Sequence, residues 1–136
     1  MSITQLKYVP RRVDEIMTAN VLTVDENDSL WDAWQMMFVS GHRHLAVLSG
    51  TACIGIIADR SLLGSVIVTE ARLTKRRVAE LLNRAHVWSL SPESSIHEAS
   101  LLMATHRINA LPVIDSAQRL CGIVTSTDLI SWIAQQ

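Results

Sequence analysis

The chain carries two copies of one sequence pattern, and this duplication restricts its possible folds more than any other feature. The aligned pairs of segments are 21–24 with 87–90, 29–33 with 95–99, 43–48 with 109–114 and 55–63 with 122–130. The offset between the copies drifts by only a residue or two, so the period is about half of the 136 residues. Such a repeat predicts two copies of one supersecondary unit, neither of which buries its apolar face without the other.

Each copy predicts a strand–helix–strand–strand–helix unit, and together the two units predict an α+β fold. The predicted strands are 21–24, 45–48 and 53–57 in the first copy, and 87–90, 111–114 and 120–124 in the second. Ser29 and Ser95 each precede an apolar run and are followed three residues later by an acidic residue, which predicts two helix starts. Helical spacing predicts that the first of these helices buries Leu30, Ala33, Trp34, Met37 and Phe38.

The composition fits one compact domain with an apolar core. Nearly half of the residues are apolar, and the net charge of −1 gives no strong field toward nucleic acid or membrane. The chain starts without the apolar stretch of a secretory signal, and its apolar runs are too short to cross a bilayer. We therefore expect a cytoplasmic protein that binds neither nucleic acid nor membrane. We expect a lead-in at 1–12, a first motif at 13–68, a linker at 69–77 and a second motif at 78–136.

The sequence lacks the common signatures of catalysis and metal binding. There is no Gly-x-Ser-x-Gly, no His-Glu-x-x-His and no phosphate-binding Gly-rich loop, and the carboxylates do not occur as a pair suited to acid–base work. His42 and His44 alternate as metal ligands often do, but the third and fourth ligands of a zinc site are missing. We therefore predict no catalytic residue, no metal site and no required cofactor.

The motif Thr125-x-x-Asp128 joins the last predicted strand to the last predicted helix. One interpretation is a capping box, in which each side chain accepts a backbone N–H of the other residue. The other is a ligand site, because a carboxylate accepts both hydroxyls of a ribose and a hydroxyl beside helix N–H groups suits a phosphate. The first copy has Ala58 and Ser61 at these positions. We therefore predict one site per chain, with the other cleft empty or weakly binding a different ligand.

Taken in order, these segments resemble a CBS motif in each half, and the chain resembles a Bateman module, which is a pair of such motifs. The resemblance is carried by Val87-x-Ser89-Leu90, Ser95-Ile96-x-Glu98-Ala99, Asn109-Ala110-Leu111-Pro112-Val113-Ile114-Asp115 and Gly122-x-x-Thr125-x-x-Asp128. It implies two motifs packed with pseudo-twofold symmetry, two clefts between them, and a disc-like homodimer formed through helix faces. Trp31, Trp34 and Trp132 are candidates for those faces.

The resemblance also implies an adenine nucleotide, of the AMP, ADP or ATP class, as a regulatory ligand in the cleft of the second motif. The residues implied in binding are Thr125, Asp128, Ser89, Asn109, Ala110, Leu111, Pro112, Ile123, Arg43 and His44. Asp128 would hold the ribose and Thr125 the phosphate, and the strand residues would flank the adenine. Arg43 and His44 would meet phosphate from across the pseudo-twofold axis, although a solvated turn is an equal alternative for this pair.

From these features we expect a stand-alone CBS-pair protein that is not an enzyme. Ligand binding would favour one arrangement of the repeats, and an unknown protein target in trans would read that change. The alternative is a nucleotide-independent dimeric scaffold, in which Thr125 and Asp128 serve only to cap a helix.

Overall fold

The computed structural model describes residues 11–63, 70–82 and 88–136. The first repeat comprises β1 (Thr23–Asp25), α1 (Leu30–Ser40), β2 (His44–Ser49), β3 (Ala52–Ala58) and α2 (Asp59–Leu63). After α3 (Glu70–Leu73), the second repeat comprises α4 (Ile96–His106), β4 (Ala110–Ile114), β5 (Leu120–Thr125) and α5 (Ser126–Ala134). Two short 3-10 turns, Val13–Glu15 and Val78–Leu81, precede the repeats. The predicted α+β fold is therefore confirmed.

Some predicted segments fall partly outside the described residues. These are positions 1–10 of the lead-in, positions 64–69 at the end of the first motif and the start of the linker, and positions 83–87 of the second motif, which include Val87 of the strand predicted at 87–90. Within the described part of the chain, no helix is long and apolar enough to cross a bilayer.

Each sheet contains an antiparallel hairpin, and the first sheet has in addition the strand β1. In the first sheet β1 runs parallel to β2, which pairs antiparallel with β3, and in the second sheet β4 pairs antiparallel with β5. The strand predicted at 87–90 is wrong as a strand, because among its described residues only Leu90 forms a bridge, with Val113. In the first repeat the Glu26 N–H extends the pairing to the Leu48 carbonyl. Pro92 stands at the equivalent position and has no N–H to donate.

Helices α1 and α4 begin directly after Ser29 and Ser95, as the sequence predicts. The Ser29 Oγ accepts from the Asp32 N–H at 3.1 Å, and the Ser95 Oγ accepts from the Glu98 N–H at 2.9 Å. Of the residues predicted to be buried on α1, Leu30, Ala33 and Met37 are buried and Trp34 is half-buried. Phe38 was predicted to be buried but is 80% exposed. At about 100° per residue it lies roughly 80° around the helix from Leu30, beyond the edge of the buried stripe.

Each repeat has its own apolar core, and each core is completed by a turn from the other repeat. The first core contains Leu30, Leu45, Val47 and Ile57 together with Val78, and the second contains Leu111, Val113, Val124 and Leu129 together with Val13. We call the segments that precede the repeats, 11–22 and 74–82, the lead-ins, and they are also joined to the opposite repeat by backbone hydrogen bonds. They are Leu30 N–H to Arg76 O at 2.9 Å, Val78 N–H to Asp28 O at 2.9 Å, Ile96 N–H to Arg11 O at 2.8 Å and Val13 N–H to Ser94 O at 2.8 Å. This reciprocal exchange is what a pseudo-twofold arrangement requires.

Candidate functional site

The junction between β5 and α5 forms a capping box. The Thr125 Oγ1 accepts from the Asp128 N–H at 3.3 Å, and the Asp128 Oδ2 accepts from the Thr125 N–H at 2.8 Å. The capping interpretation is therefore confirmed. This cap occupies one carboxylate oxygen, and no described residue donates to the second oxygen, Oδ1, of the half-buried Asp128.

The junction between β3 and α2 repeats this backbone without its side chains. Ala58 pairs with His44 as Thr125 pairs with Ala110, so the two strand ends are equivalent. The first helical N–H also bonds alike in both repeats, Asp59 to Arg43 O at 2.9 Å and Ser126 to Asn109 O at 2.8 Å. Ala58 has no hydroxyl and Ser61 no carboxylate. The Asp59 Oδ1 accepts from the N–H of its neighbour Arg60 at 2.8 Å and does not replace the missing group.

A cavity of about 160 Å³ lies beside Thr125, and the crossed lead-in of the first repeat builds much of its wall. Thr18 forms two backbone hydrogen bonds with Ile123, at 2.9 and 3.0 Å, which fix this lead-in against β5. The lining residues are Thr18, Asn20, Val21, His42, Arg43, His44, Ile123 and Thr125. We call this space the Thr125 cavity.

A second space, the central cavity, of about 390 Å³, lies between the starts of α2 and α5. Its lining residues are Arg43, His44, Ala58, Asp59, Arg60, Asn109, Thr125, Ser126 and Thr127. Burial lowers the pKa of His44, Asp59 and Asp128 act to raise it, and Arg60 and Arg43 act to lower it. The Asp128 carboxylate is thus close enough to act on this imidazole, and the cavity brings cationic, anionic and hydroxyl groups together.

The cleft on the Ala58 side is larger. It contains two cavities of about 420 Å³ each, which share Ile56, Ile108 and Ala110. The outer one is lined by Ile54, Gly55, Ile56, Leu81, Leu82, Trp88, His106, Ile108, Ala110 and Pro112, and the inner one by His44, Ile56, Ala58, Arg60, Ser61, Ile108, Asn109 and Ala110. The Trp88 and His106 rings stack with centroids 3.8 Å apart. We call these two spaces together the Ala58 cleft.

Comparison with protein families matches residues 13–68 and 78–135 to the CBS domain. The chain belongs to the CBS-domain family. Similar solved structures include a CBS-domain protein from Burkholderia ambifaria MC40-6, at 32% identity, with 92% of this chain and 96% of that chain covered and a TM-score of 0.76. The CBS pair of protein MJ0100, solved with 5′-methylthioadenosine and S-adenosyl-L-methionine, is 22% identical with a TM-score of 0.77, with 91% and 96% of the chains covered.

Curated relatives of this CBS pair are longer proteins. A homoserine O-acetyltransferase from Methanosalsum zhilinae is 32% identical over 121 residues, which are 89% of this chain and 24% of that protein. The chain spans about a quarter of the length of the first relatives it matches. The similarity therefore covers the CBS pair and not the rest of those longer proteins.

This CBS pair does not bring all of the implied binding residues together. Ile123, Thr125, Arg43 and His44 line the Thr125 cavity, whereas Asp128 lines none of the four cavities and is placed near them only by its effect on His44. Ala110 and Pro112 line the Ala58 cleft instead, and Asn109 lines both that cleft and the central cavity. Leu111 is 1% exposed in the second core, and the exposed Ser89 lines none of the four cavities.

Four residues of the Thr125 cavity were missed by the sequence analysis: Thr18, Asn20, Val21 and His42. They belong to the first repeat, whereas the motif that they face belongs to the second. The sequence feature that could have pointed to these residues is the similarity of 13–15 and 78–80, which indicates that both repeats have a lead-in. It does not show that each lead-in packs on the opposite repeat.

Proposed function

We propose that this CBS pair is a regulatory module that binds an adenine nucleotide, of the AMP, ADP or ATP class, beside Thr125 and Asp128. The observation that carries the proposal is the second carboxylate oxygen of Asp128, which the helix cap leaves without a described donor. The same carboxylate is close enough to His44 to influence its pKa, and His44, Arg43 and Thr125 line one cavity. A carboxylate facing cationic and imidazole groups suits a ribose that continues into a phosphate.

The sizes of the cavities suggest how such a ligand lies. Ligand pockets commonly measure about 300–1,000 Å³, so the Thr125 cavity is too small for a whole nucleotide. It shares Arg43, His44 and Thr125 with the central cavity. In our proposal the base lies against Val21 and Ile123. The phosphates then extend into the central cavity, toward the guanidinium of Arg43 and the start of α5.

Solved relatives support the class of ligand. The CBS pair of MJ0100 was solved with 5′-methylthioadenosine and S-adenosyl-L-methionine, and the cytosolic domain of the Mg²⁺ channel MgtE with ATP. These ligands share an adenosyl group and differ at the 5′ position. In our proposal the shared part, base and ribose, occupies the Thr125 cavity. The variable part extends into the central cavity, which Arg43, His44 and Arg60 line.

We infer a route for signalling from the lining of the Thr125 cavity, to which both repeats contribute residues. Residues of the first repeat, such as Asn20 and Arg43, face Ile123 and Thr125 of the second across the Thr125 cavity. A ligand that touches both sets favours the arrangement of repeats in which they are closest. We propose that this module acts without catalysis in the cytoplasm, and that a protein target in trans reads the arrangement.

A homodimer formed through helix faces belongs to the same proposal. Trp31, Trp34 and Trp132, our candidates for these faces, are half-buried and pack on the cores. Among the described residues, the large apolar side chains that the helices expose are others: Phe38, Val39, Leu101, Ile130 and Ile133. Sedimentation of the chain with and without ligand tests whether these faces associate.

Thermal unfolding with AMP, ADP, ATP, S-adenosylmethionine and NAD tests the binding proposal. A ligand at 100 times its Kd stabilises the folded state by about 2.7 kcal/mol, an increase in Tm of roughly 5–10 °C for a chain of this size. Asp128→Asn keeps an oxygen for the Thr125 cap but loses the charged acceptor, so we expect the shift to disappear. Ser61→Ala alters the equivalent position of the first repeat and is the matched control, with the shift unchanged.

The capping box favours a second candidate, a nucleotide-independent scaffold. It accounts for Thr125 and for one oxygen of Asp128 without any ligand. A flat thermal response to all five compounds, together with a stable dimer in sedimentation, would support the scaffold and contradict nucleotide binding.

A further inference from the structure

His44 lies where the cavities meet. It is the first residue of β2 and is half-buried opposite Ala58. Among the described residues it alone lines the Thr125 cavity, the central cavity and the inner cavity of the Ala58 cleft. A ligand group that enters the central cavity therefore comes close to this imidazole from whichever cleft it is bound.

The charged groups around His44 come from two helices and from the loop before β2, and they act on its pKa in opposite directions. Arg43 precedes it in the chain, Asp59 and Arg60 belong to α2, and Asp128 belongs to α5. The two carboxylates favour the imidazolium and the two guanidinium groups disfavour it. Burial is the largest influence and lowers the pKa of His44, which favours the neutral imidazole in the free protein.

We propose that His44 takes up a proton when a phosphate-bearing ligand enters the central cavity, which makes the affinity for that ligand depend on pH. The proposal rests on the proposed function and adds a regulatory property to the same site. A phosphate dianion beside the ring favours the imidazolium, just as a nearby carboxylate does. The protonated ring also has two N–H donors, whereas the neutral ring has one.

The sign of the effect follows from linkage. Because the bound state holds more protons than the free state, affinity rises as pH falls between the pKa values of His44 in the two states. For uptake of one proton the limit is tenfold in Kd per pH unit. Adenosine has the same base and ribose without a phosphate, so its affinity is expected to stay constant over this range.

The test is isothermal titration calorimetry at pH 7, in two buffers of different ionisation enthalpy, with AMP, ADP, ATP and adenosine. Wild-type protein is expected to take up a fraction of one proton with the phosphate-bearing ligands and none with adenosine. His44→Gln is expected to abolish the uptake, and unchanged uptake in this variant would assign the proton to the phosphate itself and contradict the proposal. His97→Gln, on the exposed side of α4, is the matched control and keeps the wild-type uptake.

A second measurement does not depend on the stability of a variant. The pKa of the His44 imidazole, followed by NMR in wild-type protein, is expected to rise when AMP, ADP or ATP binds. Heat of binding without proton uptake, or a pKa of His44 that does not change, would overturn this linkage and leave nucleotide binding intact. An absence of binding heat with all four compounds at both pH 6 and pH 7 would overturn the proposed function, and this inference with it.

Discussion

The Thr125 cavity and the Ala58 cleft lie on equivalent backbones but differ in side chains and in size. Their strand ends pair in the same register, and their helices begin with the same backbone hydrogen bond. The side with the hydroxyl and carboxylate has a cavity of about 160 Å³, whereas the side without them has two of about 420 Å³. The larger cavities and the hydroxyl–carboxylate motif therefore lie on different sides of the molecule. A cavity volume by itself would point to the cleft that lacks the motif.

Grafting the missing side chains into the larger cleft gives the strongest test of this comparison. In the double variant Ala58→Thr/Ser61→Asp, the first repeat regains both the cap and a carboxylate oxygen for a ribose. Because the backbone frame is equivalent, we expect the stoichiometry of AMP binding to rise from one to two per chain in calorimetry. The new cap is also expected to add about 1 kcal/mol to the free energy of unfolding, measured with urea.

The single variant Ala58→Thr is the matched control for this graft, because it restores the hydroxyl without the carboxylate. We expect it to leave the stoichiometry at one. If the double variant is stabilised but still binds one AMP, the motif is insufficient. Residues from the opposite repeat, such as Arg43 on the Thr125 side, would then decide which cleft binds.

The sequence was most informative where structure depends on neighbouring residues. Ser29 and Ser95 were correctly identified as helix N-caps, and the hairpin strands were located to within a residue or so, because capping and alternation are local patterns. The duplication and the CBS family were also recognisable from residues in order along the chain. The strand expected at 87–90 failed for a local reason as well, since Pro92 removes the donor that continues pairing in the other repeat.

The sequence was least informative about which repeat a segment joins. Val13 fits an apolar position in either core, and nothing next to it in the chain indicates that it packs with Leu90 and Leu111. The crossing of the lead-ins decides which residues face Thr125. This is why Asn20 and Val21 were missed. Pro112, which the family resemblance implied in binding, lines the Ala58 cleft.

Two equivalent glycines test how firmly each lead-in is held. A Cβ at Gly122 would come within 2.8 Å of the Thr18 carbonyl oxygen, a backbone atom, and 2.7 Å of the Met17 Sδ. A Cβ at Gly55 would meet the end of the Leu82 side chain at 2.8 Å, and such an end can move. We expect Gly122→Ala to lower the free energy of unfolding by about 1–3 kcal/mol, and Gly55→Ala to change it by less than about 1 kcal/mol.

Urea denaturation measures this difference, and AMP affinity extends it to the site. Gly122→Ala is also expected to weaken AMP binding, because it displaces the lead-in that carries Asn20 and Val21. Gly55→Ala lies on the Ala58 side and is expected to leave that affinity unchanged. Equal losses of stability in the two variants would indicate that the lead-ins are held alike, contrary to the contacts at Thr18.

The smallest expected effect concerns a titratable group that one repeat has and the other lacks. His44 begins β2, and the equivalent first residue of β4 is Ala110. Burial lowers the pKa of His44 in the folded protein, so below about pH 6.5 the unfolded chain binds more protons than the folded one. Folding free energy in the absence of ligand should therefore be lost as pH falls below that value, by at most about 1.4 kcal/mol per pH unit. Urea titrations at pH 7.5, 6.5 and 5.5 should show a smaller loss in His44→Gln than in wild type, whereas parallel losses would place the responsible group elsewhere.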